Sequence, residues 1–155
     1  MTTKSLVSSR RPYRIGRSKT GFGLFATKLI RRGSFVVRYT GRKLKNAIAD
    51  ELDTKYMFEI NNRWTVDGSS RRNIARYINH SCKPNAETDV KGHKIVITAK
   101  KNIYPGDEIT YNYGRNYFNA FIKEKGCRCA ACHQKGMVLR SKARAARKRR
   151  AKARN

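Results

Sequence analysis

Apolar residues in this chain come in short runs of four to six, set off by polar and turn-forming residues. Residues 23–27, 35–39, 56–60, 64–67, 94–99 and 108–113 are rich in β-branched and aromatic side chains and read as strands. Asn61-Asn62-Arg63 separates two of them and signals a hairpin. Lys91-Gly92-His93 precedes the run at 94–99, and Pro105-Gly106-Asp107 precedes the last. Residues 44–52 and 73–78 have room for short helices. Many short strands with little helix predict a mainly β domain, not alternating βαβ units.

The chain has 155 residues, enough for one domain with a real core. Charge changes the picture most: 37 Lys and Arg face 10 Asp and Glu, a net +27. Such a field attracts phosphates and acidic partners. Residues 135–155 hold ten of the basic residues and no acid. Alanine and arginine favour helix there, but almost no apolar face exists to bury. That tail is expected to be disordered or a frayed helix on its own, ordered on a polyanion. Residues 1–19 lack the apolar stretch of a secretory signal and read as a short flexible lead. No stretch is long and apolar enough to span a membrane, so an intracellular protein with reduced thiols is expected.

Four segments carry candidate chemistry. In Thr20-Gly21-Phe22-Gly23-Leu24-Phe25 the glycines allow close backbone approach to a ligand, or simply a turn before a strand. Asn79-His80-Ser81-Cys82-Lys83-Pro84-Asn85 groups polar side chains before a turn, and His80 can equally be a satisfied, half-buried histidine. In Glu108-Ile109-Thr110-Tyr111-Asn112-Tyr113 the two tyrosines share a strand face. They can line a polar slot or pack as ordinary core aromatics. Cys127-Arg128-Cys129-Ala130-Ala131-Cys132 places three thiols within six residues, a spacing suited to one metal ion. Cys82 is the only other cysteine, and His133 competes with it as fourth ligand. Four thiolates leave no open coordination position, so zinc there would be structural.

Together and in this order, the four segments resemble the SET domain of protein-lysine methyltransferases, over about residues 12–133. Gly21-Phe22-Gly23 is similar to that family's Gly-x-Gly, and the Asn79 segment to its Asn-His-x-Cys-x-Pro-Asn. The Glu108 segment resembles Glu-Leu-Thr-Tyr-Asp-Tyr, and the cysteine segment the post-SET zinc motif. The resemblance implies a β-rich SET fold with few short helices and knot-like threading of the C-terminal segment. It implies S-adenosylmethionine as cofactor, held by Gly21, Phe22, Gly23, Asn79, His80 and Tyr113. It implies a catalytic Tyr113, a product-tuning Tyr111, a lysine channel lined by Tyr56, and one zinc on Cys82, Cys127, Cys129 and Cys132.

Its implied division is a lead at 1–11, a SET domain at 12–118, a zinc segment at 119–134 and a basic tail at 135–155. Departures are Arg38 and Arg42 where the family often has Glu, Asn112 for Asp, a short insert between Gly41 and Tyr56, and no cysteine-rich segment before the domain. The implied activity is mono- or dimethylation of lysine on a protein, histone-like or otherwise basic. The acids Asp50, Glu51, Asp53 and Glu59 are expected to form a local acidic groove for it. The tail is expected to bind DNA or RNA, or to be a solvated charge run or localisation signal. A monomer is expected, nuclear in a eukaryote or cytoplasmic in a bacterium. From another class, the alternative is a non-catalytic, zinc-stapled module that binds nucleic acid.

Overall fold

The computed structural model describes residues 10–52 and 54–152; residues 1–9, Asp53 and 153–155, with the first part of the expected lead and the end of the tail, lie outside the described residues. Ten strands are β1 (Tyr13–Ser18), β2 (Gly21–Ala26), β3 (Phe35–Tyr39), β4 (Arg42–Lys45), β5 (Met57–Glu59), β6 (Trp64–Asp67), β7 (Asn79–His80), β8 (Ala86–Lys91), β9 (Lys94–Ala99) and β10 (Glu108–Tyr111). Helices are α1 (Asn46–Ala49), α2 (Arg115–Tyr117) and α3 (Ala130–Lys152), with a 3-10 turn at Ile74–Tyr77 and a π-type turn at Phe118–Ile122. No helix among the described residues is long and apolar enough to cross a membrane.

The strands form three small sheets, ordered β1-β2-β10-β7, β3-β9-β8 and β4-β6-β5. Alternation explains the registers. In β9, Ile95, Ile97 and Ala99 are buried while Val96 and Thr98 lie half-exposed on the opposite face. The core is built on Leu24, Ile78, Ile95, Ile97, Ile103 and Ile109, all fully buried. Each such side chain contributes roughly 1.5–3 kcal/mol of burial. The hairpin at 61–63 forms because Asn61 Oδ1 accepts the N–H groups of Arg63 and Trp64, at 2.9 and 3.0 Å.

Four strands, β1, β4, β7 and β8, lie outside the sequence expectation, and one expected helix shrinks. β1 exposes Arg14, Ile15 and Arg17, so its edge position hides it from an apolar count. β8 alternates Ala86, Thr88 and Val90 inward with Glu87, Asp89 and Lys91 outward, and its charges mask the pattern. The helix expected at 44–52 retains only α1, because Arg42–Lys45 pairs with β6 instead. The tail also differs. It is one continuous helix, α3, and Cys132 sits in its first turn, so the helix grows out of the cysteine cluster.

One strand pair governs the site. β10 runs antiparallel to β2 through Ile109 and Leu24. On its other edge it runs parallel to β7, with Thr110 beside Asn79 and Tyr111 beside His80. The paired residues of the two chemistry-bearing segments, 31 apart in sequence, are thereby neighbours in space.

Candidate active site and metal centre

Two cavities open on this strand pair. One, of about 650 Å³, is lined by Tyr39, Tyr56, Phe58, Tyr111, Tyr113 and Tyr117, with Asp50 and Glu59 also on its wall. The other, of about 1000 Å³, is lined by Phe22, Tyr77, Asn79, His80 and the segment 125–129. Tyr56, Arg76, Tyr113, Tyr117 and Phe121 belong to both walls. The cavities therefore meet at a tyrosine-lined junction.

The junction is held by specific bonds. The Tyr113 hydroxyl donates to the carbonyl of Ile78 at 2.5 Å. The Tyr39 hydroxyl donates to the carbonyl of Tyr56 at 2.7 Å, fixing the backbone that carries the Tyr56 ring. The Arg76 guanidinium lies 4.1 Å from the centre of that ring, a cation on its electron-rich face, and also donates to the Ser69 carbonyl. Rings continue outward from Tyr111 to Tyr113 at 4.9 Å, to Tyr117 at 4.8 Å and to Phe121 at 4.7 Å. Burial pushes the phenols of Tyr111 and Tyr113 well above their ordinary range, and neighbouring phenols add to it. Both are neutral at any physiological pH.

Glycines shape the wall of the larger cavity. Gly21 takes φ +118°, a conformation that side chains strain to adopt. A Cβ at Gly23 would lie 2.5 Å from Glu108 Oε1, so this glycine makes room for a carboxylate. That carboxylate is a hub: Ser18 Oγ donates to it at 2.9 Å and Asn79 Nδ2 at 2.7 Å. Asn79 Nδ2 also donates to the Phe22 carbonyl at 2.9 Å. The Gly21–Gly23 segment is thus tied to the Asn79 segment through Glu108. Phe22 itself is 56% exposed and meets Tyr77 edge-on at 6.3 Å, leaving an apolar surface at the cavity mouth.

The four thiols of Cys82, Cys127, Cys129 and Cys132 converge, with all sulfur atoms within 4.8 Å of one another. A zinc–sulfur bond of about 2.3 Å in a tetrahedron spaces the sulfurs roughly 3.8 Å apart. Cys82 lies 3.8 Å from Cys127 and 3.6 Å from Cys132, so the donor set fits the ion. Burial raises the Cys82 and Cys127 thiols, whereas at Cys129 N–H donors and neighbouring thiols outweigh burial and its pKa falls to about 6, so without an ion the cluster favours one thiolate. A thiolate is the form a metal takes. His133 lies outside this quartet; it is exposed, and its N–H donates to the Cys129 carbonyl. Among the described residues the cluster that could hold a metal ion contains Cys82 and not His133.

The SET domain family model matches residues 21–114, most of the chain. This chain belongs to the SET-domain family. It is 39% identical over 105 residues to the histone-lysine N-methyltransferase trithorax of Drosophila virilis, covering 60% of this chain and 3% of that protein. It is 34% identical over 127 residues to histone-lysine N-methyltransferase set1 of Dictyostelium discoideum, covering 73% of this chain and 8% of the relative. Among solved structures, a chain of the Chaetomium thermophilum polycomb repressive complex 2 superposes with a TM-score of 0.62 at 30% identity, over 73% of this chain and 16% of that one. The SET-domain chain thus spans under a tenth of the two curated relatives. The mainly β architecture is the one the resemblance implied.

Of the residues expected from sequence, Phe22, Tyr56, Asn79, His80, Tyr111 and Tyr113 line these cavities and the four cysteines cluster; Gly21 and Gly23 line neither cavity but flank Phe22, and His133 and Glu51 lie outside both cavities and the cluster. Tyr117, Phe121, Arg76 and Glu108 went unassigned. Aromatics at i and i+4 straight after the Tyr113 segment are the signal for the first two. For Arg76 and Glu108 the signal exists only in three dimensions.

Proposed function

We propose that the chain transfers methyl groups from S-adenosylmethionine to a lysine side chain of a basic, histone-like protein. The observation that carries this reading is the meeting of two unlike cavities at Tyr56 and Tyr113. One suits a nucleoside cofactor, with the Phe22 surface, the Asn79 carboxamide and an exposed Gly21 backbone. The other is an aromatic slot suited to a lysine stem. Bound in the first, S-adenosylmethionine would supply a methyl group on a sulfonium centre. The 21–23 backbone, Asn79, His80 and Tyr113 would hold it.

The remaining work falls to this chain's own side chains. Tyr39 and Arg76 fix Tyr56, β10 fixes Tyr111, and the bond to Ile78 fixes Tyr113, so the slot orients an incoming amine. A lysine in water has a pKa of about 10.4 and is mostly protonated. Entry into the aromatic slot strips its water, and the nearby Arg76 cation disfavours the ammonium. The proton then leaves to water, and no strong base is required. Neutral Tyr113 keeps an oxygen acceptor at the junction while its proton is committed to Ile78. The Tyr111 hydroxyl takes up space in the slot, which favours mono- and dimethyl products.

Asp50 and Glu59 share the slot wall with Lys55, Arg76 and Arg115, and exposed Glu51 is nearby in sequence, so the wall is mixed in charge and the expected acidic groove reduces to two carboxylates among three cations. Those two carboxylates are the groups that would meet basic residues flanking the target lysine; Asp53 lies outside the described residues. We assign residues 12–118 to the SET fold, 119–134 to the zinc segment and 135–155 to a polyanion-binding tail, in a monomer. A four-thiol zinc centre fits a reducing, intracellular setting. The non-catalytic alternative is disfavoured, because it gives the aromatic slot no occupant.

The test is incubation of the zinc-loaded chain with labelled S-adenosylmethionine and panels of histones and ribosomal proteins, followed by mass spectrometry. Methyl-lysine on a basic substrate is expected. Cofactor binding without any methyl-lysine would overturn the reading.

A further inference from the structure

Helix α3 leaves the cysteine cluster with no acid along its length, and its side chains from Met137 to Arg149 are exposed. Between Arg140 and Arg149 its cations are Arg140, Lys142, Arg144, Arg147, Lys148 and Arg149, with only Ser and Ala between them, and the sequence of the helix adds Arg150 and Lys152. Among the described residues none of the six forms an ion pair; the one ion pair there joins Arg42 to Asp67. Like charges at i and i+4, such as Arg140, Arg144 and Lys148, repel one another. The sequence thus forgoes the acid that would quiet an exposed helix, and a polyanion is the natural complement.

The placement of the charges narrows the polyanion. At about 100° per residue, Arg140, Arg144, Arg147 and Lys148 fall within roughly 100° of one flank. Lys142 and Arg149 fall about opposite. A helix with cations on both flanks suits a groove with phosphates on both walls. The B-form major groove, about 12 Å wide, admits a helix about 10–12 Å across. An A-form RNA major groove is too narrow for it. A membrane surface is disfavoured, since past Leu139 the helix has no apolar face to bury.

We propose that α3 is a duplex-DNA docking helix, lying in the major groove and bound mainly to phosphates. It holds the SET domain on DNA-bound basic proteins. The DNA contact itself does not depend on methyl transfer, so the two readings fail separately.

The test uses the full zinc-loaded chain and a fluorescent DNA duplex of about two helical turns, read by anisotropy over a salt series. Affinity is expected to fall roughly a thousandfold between about 50 and 200 mM salt. Replacing all six cations by Gln is expected to weaken that binding sharply and to flatten the log–log salt slope by up to about 5. Zinc content and the thermal unfolding midpoint of the variant, both expected unchanged, report that the body is intact. Undiminished DNA binding by the variant would overturn the proposal. So would tighter binding to an RNA duplex of equal length, or to phosphatidylserine vesicles.

Discussion

His80 Nδ1 accepts the backbone N–H of Tyr113 at 3.2 Å. An accepting Nδ1 carries no proton, so the ring proton sits on Nε2, which faces Cys82 Sγ at 3.5 Å. Burial lowers the His80 pKa, which favours this neutral form. One imidazole thus joins the junction tyrosine to Cys82 of the cysteine cluster that could hold a metal. Outer-shell partners of this kind orient ligands in metal sites. His80→Ala is expected to destabilise the chain by about 1–3 kcal/mol, the cost of a part-buried N–H left unpaired. Urea unfolding measures it, and an unchanged midpoint would show that the ring is only filling space.

Tyr113→Phe removes the hydroxyl that donates to Ile78 but leaves the ring contacts to Tyr111 and Tyr117. Turnover on a lysine peptide is expected to fall roughly ten- to hundredfold, as for loss of about 1.4–2.8 kcal/mol. Cofactor affinity, measured by calorimetry, is expected to change little. Wild-type turnover in this variant would remove Tyr113 from the catalytic assignment.

Tyr111 is 7% exposed and stands beside Tyr113 on the slot wall. Deleting its hydroxyl enlarges the slot without emptying it. Tyr111→Phe is expected to shift products toward the higher methylation state, read by mass spectrometry of the substrate. An identical product distribution would sink this role.

Much of this site was legible because its parts are local in sequence. The three clustered cysteines declared a metal, and the lone Cys82 was the only thiol left to complete it. The spacing of Tyr111 and Tyr113 marked them as neighbours, and their rings do meet, although β10 ends at Tyr111 and Tyr113 lies just past it. What escaped depends on distant pairing. Glu108 looked like the polar start of a strand, and its role appears only when Ser18, Gly23 and Asn79 surround it. Arg76 carried no assignment from sequence, because Tyr56, the ring it covers, lies 20 residues away. β1 escaped because an edge strand needs no apolar alternation to pair. The tail was read as disordered or frayed because propensity without burial gives a marginal helix; α3 starts from an anchored first turn instead.

The cysteine quartet and the larger cavity share residues, since Cys127 and Cys129 line that cavity. Zinc removal is therefore expected to weaken cofactor binding as well as stability. Elemental analysis should give one zinc per chain, and Cys129→Ser should lose it. His133→Ala should retain it, because His133 lies outside the quartet. Loss of zinc in His133→Ala with full occupancy in Cys82→Ser would reverse the ligand assignment.

Burial raises the phenol pKa of Tyr39 and of Tyr113, so each is harder to ionise folded than unfolded. The sign follows from linkage: between the unfolded value of about 10 and the folded value, the native state binds the extra proton. Stability from these phenols is therefore fully present below about pH 10 and is lost as pH rises above it. Lysines work the other way over that range, because losing their charge relieves the self-repulsion of a +27 chain. The two effects separate by comparison. Between pH 9 and 11, wild type is expected to lose more stability than Tyr113→Phe, and urea midpoints at both values measure the difference. Equal losses would mean that the Tyr113 phenol ionises as easily in the fold as in water, and that the slot is wetter than its aromatic wall implies.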